Sequence, residues 1–190
     1  SPDSIPTPKS RKRAEELDPT NWCPAIKKEL DACIRNDTWT PILANDIPPD
    51  RKPLHMLWVF KVKRNGTFKA RLCVQGNRQI PGVDYDQNWA GTLRASSLRM
   101  LTALAARERM SISRWDLTNA YLQGQLEAEE HLYTWPAPGE PETDSQGRRI
   151  AWKLNKPLYG LVQAGRRFQR NLFDWLATQG FTRTDSCLLY

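Results

Sequence analysis

The sequence predicts an α+β chain, an incomplete antiparallel sheet packed with helices. Three observations lead there. Residues 57–63 and 68–74 alternate apolar and basic side chains on either side of Asn65-Gly66, the pattern of a β-hairpin. Apolar residues recur at helical spacing in three stretches, around Leu30, Leu101 and Leu172. Short apolar runs at 131–135 and 150–154 flank a Pro/Gly-rich loop and pair back as strands.

The elements follow in order. Residues 1–17 open with Pro, Ser, Lys and Arg and are expected to form a flexible basic lead-in. Lys9, Arg11, Lys12 and Arg13 would touch phosphates there, or simply solubilise the chain. Asp18-Pro19 starts a helix, with Pro24 still near its N-terminus. Ile26, Leu30, Cys33 and Ile34 form its apolar stripe, and Asn36-Asp37 ends it. Residues 38–40 begin an extended segment, and three prolines mark 45–53 as a loop. The hairpin comes next, its polar face lined by Lys61, Lys63, Lys69 and Arg71. Ser96-Ser97 caps a helix whose buried stripe would be Leu98, Leu101, Leu104 and Ala105. A strand is expected over 112–117, then a short turn through Gly124. Residues 163–179 form an amphipathic helix with Phe168, Leu172, Trp175 and Leu176 on its apolar face and Gly180 closing it. Residues 181–190 begin a further strand.

Bulk numbers limit the function. The 190 residues suit one large domain or two small ones. With 39% hydrophobic and 26% charged residues, a packed core is expected and wholesale disorder is not. A net charge of +7 and a pI near 9.4 point to a polyanionic partner or to a solvated basic surface. Cys23, Cys33, Cys73 and Cys187 lack CxxC spacing, which argues against a zinc site and a disulfide framework. His55 and His131 have no partner at metal-ligand spacing and are taken as ordinary residues. No apolar run reaches membrane-spanning length and no signal-peptide pattern is present, so no membrane partner and an intracellular location are expected.

One stretch concentrates the chemistry. Asp116 ends an apolar run and Tyr121 follows five residues later. A carboxylate at an open strand end suits a divalent metal, and an aromatic just beyond it suits the floor of a sugar or base pocket. Asp116 is equally an ordinary strand-end carboxylate, and Tyr121, four residues from Leu117, equally a core aromatic.

The ordered set of motifs resembles the reverse transcriptase of copia-type retrotransposons. It begins with Trp22, Ala25, Glu29 and Leu30 followed by Asn36-Asp37-Thr38-Trp39. It continues through Trp58-Val59-Phe60-Lys61-Val62-Lys63, Lys69-Ala70-Arg71-Leu72 and Gly82-Val83-Asp84-Tyr85. Asp116 with Ala120-Tyr121-Leu122-Gln123-Gly124 comes next, then Leu158-Tyr159-Gly160-Leu161 with Gln163 and Arg166, and last Gly180-Phe181 with Asp185 and Cys187. The resemblance covers nearly everything from Trp22 onward. Residues 88–92 depart from the family's Thr-Phe-Ala-Pro-Val run, Val162 replaces a common lysine, Gly165 a common proline, and Tyr121 a usual Phe.

The resemblance implies a right-hand polymerase, with 18–110 fingers-like and 111–190 a partial palm. Its activity would be templated DNA synthesis from dNTPs by two Mg2+ ions about 3.5–4 Å apart. Asp116 would be a metal ligand, with the Leu117 carbonyl a second. Lys69 and Arg71 would neutralise the triphosphate, and Tyr121 would be the steric gate against a ribose hydroxyl. Tyr159 and Gly160 would lie under the nascent base pair. Lys61, Lys63, Gln163 and Arg166 would reach the RNA or DNA template-primer. Solvated hairpin cations and a strand-to-helix turn with a necessary glycine are the plainer alternatives. Trp39, Trp58, Trp89 and Trp115 would stack on bases or, as most of them look, pack.

The family's other two carboxylates come from a Tyr-x-Asp-Asp turn, and this chain contains no Asp-Asp pair. It is therefore expected to be inactive alone, as a piece of a polyprotein whose downstream palm, RNase H and integrase are partners, or as a broken copy. Uncovered apolar surface, marginal stability or association would accompany a severed palm. A non-catalytic nucleic-acid-binding remnant, or an unrelated Trp-rich interaction domain, are the competing classes. The family's setting would be a cytoplasmic particle or the nucleus.

Overall fold

In the computed structural model, residues 6–91, 94–127 and 130–182 are described. The chain is an α+β mix of four helices and two small antiparallel sheets among these residues. The elements are α1 (Arg11–Leu17), α2 (Pro19–Arg35), β1 (Trp39–Leu43), β2 (Met56–Val62) and β3 (Phe68–Val74). They continue with α3 (Ala95–Arg107), β4 (Tyr133–Thr134), β5 (Ile150–Leu154) and α4 (Ala164–Thr178).

Residues 11–17, expected within the flexible lead-in, are helical. The Ser10 hydroxyl accepts the Arg13 N–H at 3.2 Å, Ala14 is fully buried, and Arg11 reaches Glu140 at 2.6 Å. A cap, a small buried face and a tie to a distant loop offset a basic composition that otherwise favours disorder. Asp18 caps α2 through the Asn21 N–H at 3.1 Å, with Pro19 as its first residue. Pro24 lies inside this helix rather than at its start. The buried face of α2 runs through Trp22, Ile26 and Cys33, with Leu30 half-buried. Ile34, expected on that stripe, is exposed, because it sits about 100° around the helix from Cys33.

The hairpin forms as expected, in the register Met56↔Val74 to Val62↔Phe68. Its turn is longer than a two-residue connection. Gly66 N–H donates to the Lys63 carbonyl and Lys63 N–H to the Thr67 carbonyl, both at 2.9 Å. Only Gly66 takes a positive φ there, +78°. This is the three-residue arrangement of a type I turn followed by a left-handed glycine. Trp58, Phe60, Ala70, Leu72 and Val74 are buried on one face, against α2. Trp22 meets Phe60 and Phe68 edge to face, with centroids 5.1 and 4.6 Å apart, the favoured aromatic geometry.

The second sheet has the order β1-β5-β4, so β5 is central. Trp39 stacks on Trp152 across β1 and β5 at 4.2 Å. The strand expected at 131–135 shortens to Tyr133–Thr134. Leu54 bonds on both sides of Thr134 and ties this sheet to the segment that enters β2.

Further expectations fail. Residues 112–117 form no strand, and Ile112, Trp115 and Leu117 are exposed by 69%, 80% and 48%. Leu98 and Leu104, expected on a buried stripe of α3, are likewise exposed, and only Ala105 is buried. An extended run becomes a strand only when a neighbour takes up its N–H and C=O groups, and the described residues offer 112–117 none. α4 ends at Gly180, whose φ is +86° and whose N–H donates to the Ala177 carbonyl at 3.1 Å. Trp175, expected on its apolar face, is half exposed. Most of the strand expected over 181–190, with Asp185 and Cys187, lies outside the described residues. No described helix is long and apolar enough to cross a membrane.

Candidate functional site

The hairpin's outer face carries the cations. Lys61 and Lys69 are directly opposed across β2 and β3, and Arg71 opposes Val59. Side chains two apart share a face, so Lys63 joins them. Lys61, Lys63 and Arg71 are exposed, and Lys69 is half-buried. Opposed like charges repel. Burial, then Arg71 and Lys63, pushes the Lys69 ammonium below its ordinary range, while Glu29 and Asp116 act the other way. The face therefore holds positive charge that an incoming anion would relieve.

Asp116 lies within electrostatic reach of Lys69 and is exposed to solvent. It is carried by an open segment rather than by a strand. Leu117 follows it, and then Asn119 turns the chain in the left-handed region, φ +53°. The 3-10 turn Ala120–Gln123 begins there. Short polar side chains tolerate this conformation better than most. The turn places the Tyr121 ring 4.8 Å from Tyr159 and 6.3 Å from Phe168, both edge to face. The Arg71 guanidinium lies 5.1 Å above the Tyr159 ring. Burial raises the Tyr159 phenol above its ordinary range, and Arg71 opposes that rise. Arg71, Tyr121 and Tyr159 thus form one contact cluster, with Lys69 and Asp116 beside it.

Tyr159 is held by its backbone. Its carbonyl accepts the Val74 N–H at 2.8 Å, on the edge of β3 that faces away from β2. The neighbouring Leu72 N–H on that edge donates to Glu29 Oε1 at 3.3 Å. Burial raises the Glu29 carboxyl, and that bond together with Lys69 and Arg71 pulls it back. Gly160 has φ +89°, and a Cβ there would stand 2.1 Å from the Val74 carbonyl oxygen. The close approach that requires glycine here is to protein backbone, as the plainer reading of a turn with a necessary glycine has it.

Gln163 is fully buried, and its amide is taken up by Gln79 at 3.0 Å, the Asp84 carbonyl at 3.1 Å and Glu130 at 3.2 Å. Arg166 is half-buried, and its Nε finds no hydrogen-bond partner among the described residues. It lines a cavity of about 260 Å³ with Trp89, Gln169 and Asp174. The arginine that matters structurally is its neighbour. Arg167, 7% exposed, pairs with Glu130 at 2.9 Å and with Glu127. The signal was present in the sequence as Glu127 and Glu130, three apart, facing Arg167 and Arg170, also three apart. Sequence reasoning likewise gave no role to Glu29 or to Gln79, whose Oε1 accepts the Val162 N–H at 2.8 Å.

Trp58 is buried, with its Nε1 donating to the Pro138 carbonyl, and Trp39 is stacked on Trp152, so both pack. Trp89 and Trp115 are exposed by 63% and 80%. No group of three or more His, Cys, Asp or Glu able to hold a metal occurs among the described residues. Asp116 offers one hard oxygen donor, and by themselves the described residues do not fit a magnesium pair.

Comparison with known proteins bears on this arrangement. A family model described as "Reverse transcriptase (RNA-dependent DNA polymerase)" matches residues 36–189. The retrovirus-related Pol polyprotein from transposon TNT 1-94 of Nicotiana tabacum is 30% identical over 87% of the chain. Those from transposons RE1 and RE2 of Arabidopsis thaliana are each 32% identical, over 93% and 87% of it. The chain spans about 12% of the length of the first two curated relatives and 11% of the third. No solved structure matches it.

Proposed function

The chain belongs to the reverse transcriptase family of copia-type retrotransposon polyproteins, and from that premise we propose that it supplies the nucleotide-facing part of a templated DNA polymerase. Residues 18–110 would serve as fingers and 111 onward as the start of a palm. The reading is carried by one observation: Arg71 stacks over Tyr159, Tyr159 meets Tyr121, and the exposed Asp116 lies within electrostatic reach of Lys69 on the same hairpin face as Arg71.

In this reading Lys69 and Arg71 take the triphosphate of a dNTP. Arg71 is the better placed, because it is exposed and its stacking over Tyr159 leaves the guanidinium less freedom to lose. Tyr121, wedged between Tyr159 and Phe168, limits the space beside the sugar. Lys61 and Lys63 continue the cationic face towards the template-primer. Asp116, with the Leu117 carbonyl, would contribute to holding magnesium only together with carboxylates from elsewhere. Bound magnesium supplies Lewis-acid activation and charge neutralisation in such enzymes. The 190 residues alone should therefore not extend a primer. The downstream palm, RNase H and integrase are the proposed partners, inside a cytoplasmic particle or the nucleus.

Primer extension tests this. The longer polyprotein segment that includes a Tyr-x-Asp-Asp turn should extend a primer on RNA or DNA with magnesium, and the 190 residues should not. Asp116→Ala should abolish extension while leaving template affinity intact. Extension that survives Asp116→Ala would remove the assignment. A second reading, a nucleic-acid-binding remnant without chemistry, is motivated by the net charge of +7. It predicts salt-sensitive binding and no extension by any longer segment.

A further inference from the structure

We propose that the cleft between α2 and β3 seats the sugar–phosphate backbone of one nucleic-acid strand, gripped by Lys28 and Arg35 of the helix and by Lys63 of the hairpin, with Lys69 on the border between this cleft and the triphosphate site. The inference rests on the nucleic-acid reading above and deepens it. It adds a wall to the binding surface that the hairpin alone does not provide.

The cleft has a volume of about 250 Å³. Its walls come from two elements that pack against each other, so its shape is set by the fold's main core. Ala25, Ala32 and Ala70 all line it, and these small side chains leave the space open. Phe68 offers an aromatic wall, and Thr67 and Thr118 bring hydroxyl groups. Four cations face one carboxylate, Glu29. That carboxylate is already engaged with the Leu72 N–H, and its burial works against its charged form.

The cations are not neutralised locally. Arg35 follows Asp31 by four residues and would ordinarily pair with it along the helix. Both Asp31 oxygens are instead held by Lys27, at 3.0 and 2.8 Å. Among the described residues, Lys28, Arg35, Lys63 and Lys69 form no salt bridge within 4 Å. Burial and neighbouring positive charge already strain the ammonium of Lys69. A surface of this kind is complementary to a chain of phosphates. A volume of about 250 Å³ is on the scale of one nucleotide's sugar and phosphate, so the occupant is the backbone of one strand. Thr118 and Asn119, which also line the cleft, follow Asp116 by two and three residues and tie it to the segment that carries that carboxylate.

The test is fluorescence anisotropy of the 190-residue chain with a labelled oligothymidylate over a series of KCl concentrations. Lys28→Ala/Arg35→Ala should weaken binding about tenfold at low salt. It should flatten the log–log salt slope by about 1.4, two phosphate contacts at roughly 0.7 each for a single strand. Lys52→Ala/Lys153→Ala removes the same charge from exposed sites outside the cleft and should leave the slope unchanged. Lys28→Arg/Arg35→Lys should restore binding. Equal losses in the cleft and control pairs, or no loss in the cleft pair, would overturn the proposal while leaving nucleic-acid binding intact. Absence of binding by the unaltered chain would remove the nucleic-acid reading and this inference together. An equal loss of duplex binding in the cleft pair would overturn the single-strand assignment.

Discussion

Two stretches of similar hydrophobic character meet opposite fates. Between Trp22 and Val74, apolar side chains from α2, β2 and β3 interlock. Trp22 and Leu72 are fully buried, and Trp58 and Phe60 nearly so. Between Leu98 and Leu117, the apolar side chains Leu98, Met100, Leu104, Met110, Ile112, Trp115 and Leu117 are all 40% exposed or more. Periodicity is present in both regions. It tells which side chains would gain from leaving water, not whether a partner surface is there to receive them. The candidate site straddles this border. Lys69, Arg71 and Tyr159 stand on the packed body, whereas Asp116 stands on the open segment. One side of the site is held by close packing and the other by little more than the turn at Asn119.

The strongest way to break this contrast is to truncate one tryptophan in each region. Trp22→Ala should cost about 3–5 kcal/mol, through lost burial and lost edge-to-face contacts with Phe60 and Phe68. Trp115→Ala should change stability by less than about 0.5 kcal/mol. Urea midpoints measure both, and equal shifts would mean that the two regions are packed alike.

Removal of a buried ion pair comes next. Arg167→Ala leaves Glu130, 8% exposed at its side chain, without its cation, and should cost about 3 kcal/mol. Desolvation works against the charge on Arg167, but its bonds to Glu130 and Glu127 prevail and raise its pKa. The loss should therefore appear across the neutral range and not only at high pH. Gly160→Ala should cost about 2 kcal/mol or more, because a left-handed φ and a contact with the Val74 carbonyl oppose it together. Gly66→Ala has the same φ problem in open space and should cost only about 1 kcal/mol. If the two glycine variants behave alike, Tyr159 is not held against β3 as described.

Local elements were legible in the sequence because their causes are local. Asn65-Gly66 between alternating runs specified the hairpin, and Asp18-Pro19 and Gly180 marked helix boundaries. The pairing of β1 with β5 was not legible, since Trp39 and Leu154 meet across more than a hundred residues and either strand alone is too short to name its partner. At the site, the alternation of the hairpin was enough to put Lys69 and Arg71 on one face, and Arg71, Tyr159 and Tyr121 are in contact there. Sequence failed where burial decides. Gln163, Arg166 and Arg167 all look like polar residues of one helical turn, and only packing against Gln79, Glu127 and Glu130 shows which of them face inward.

The smallest expected effect is also the one that best separates the two sides of the site. Glu29 caps the outer edge of β3, and burial raises its folded-state pKa above the ordinary value of 4.5. Between those two values the folded chain binds more proton than the unfolded chain. The stability contributed by the neutral carboxyl is thus fully present below about pH 4.5 and is lost as pH rises through the folded-state pKa. Glu29→Gln keeps an acceptor for the Leu72 N–H but cannot ionise, so its stability should lack that component of the pH slope. Asp116→Asn, on the open side, should leave the Glu29 slope in place. Urea midpoints measured from pH 4 to pH 8 check both variants. An unchanged slope in Glu29→Gln would mean that the carboxyl does not sit against β3, and the edge that anchors Tyr159 would need another cap.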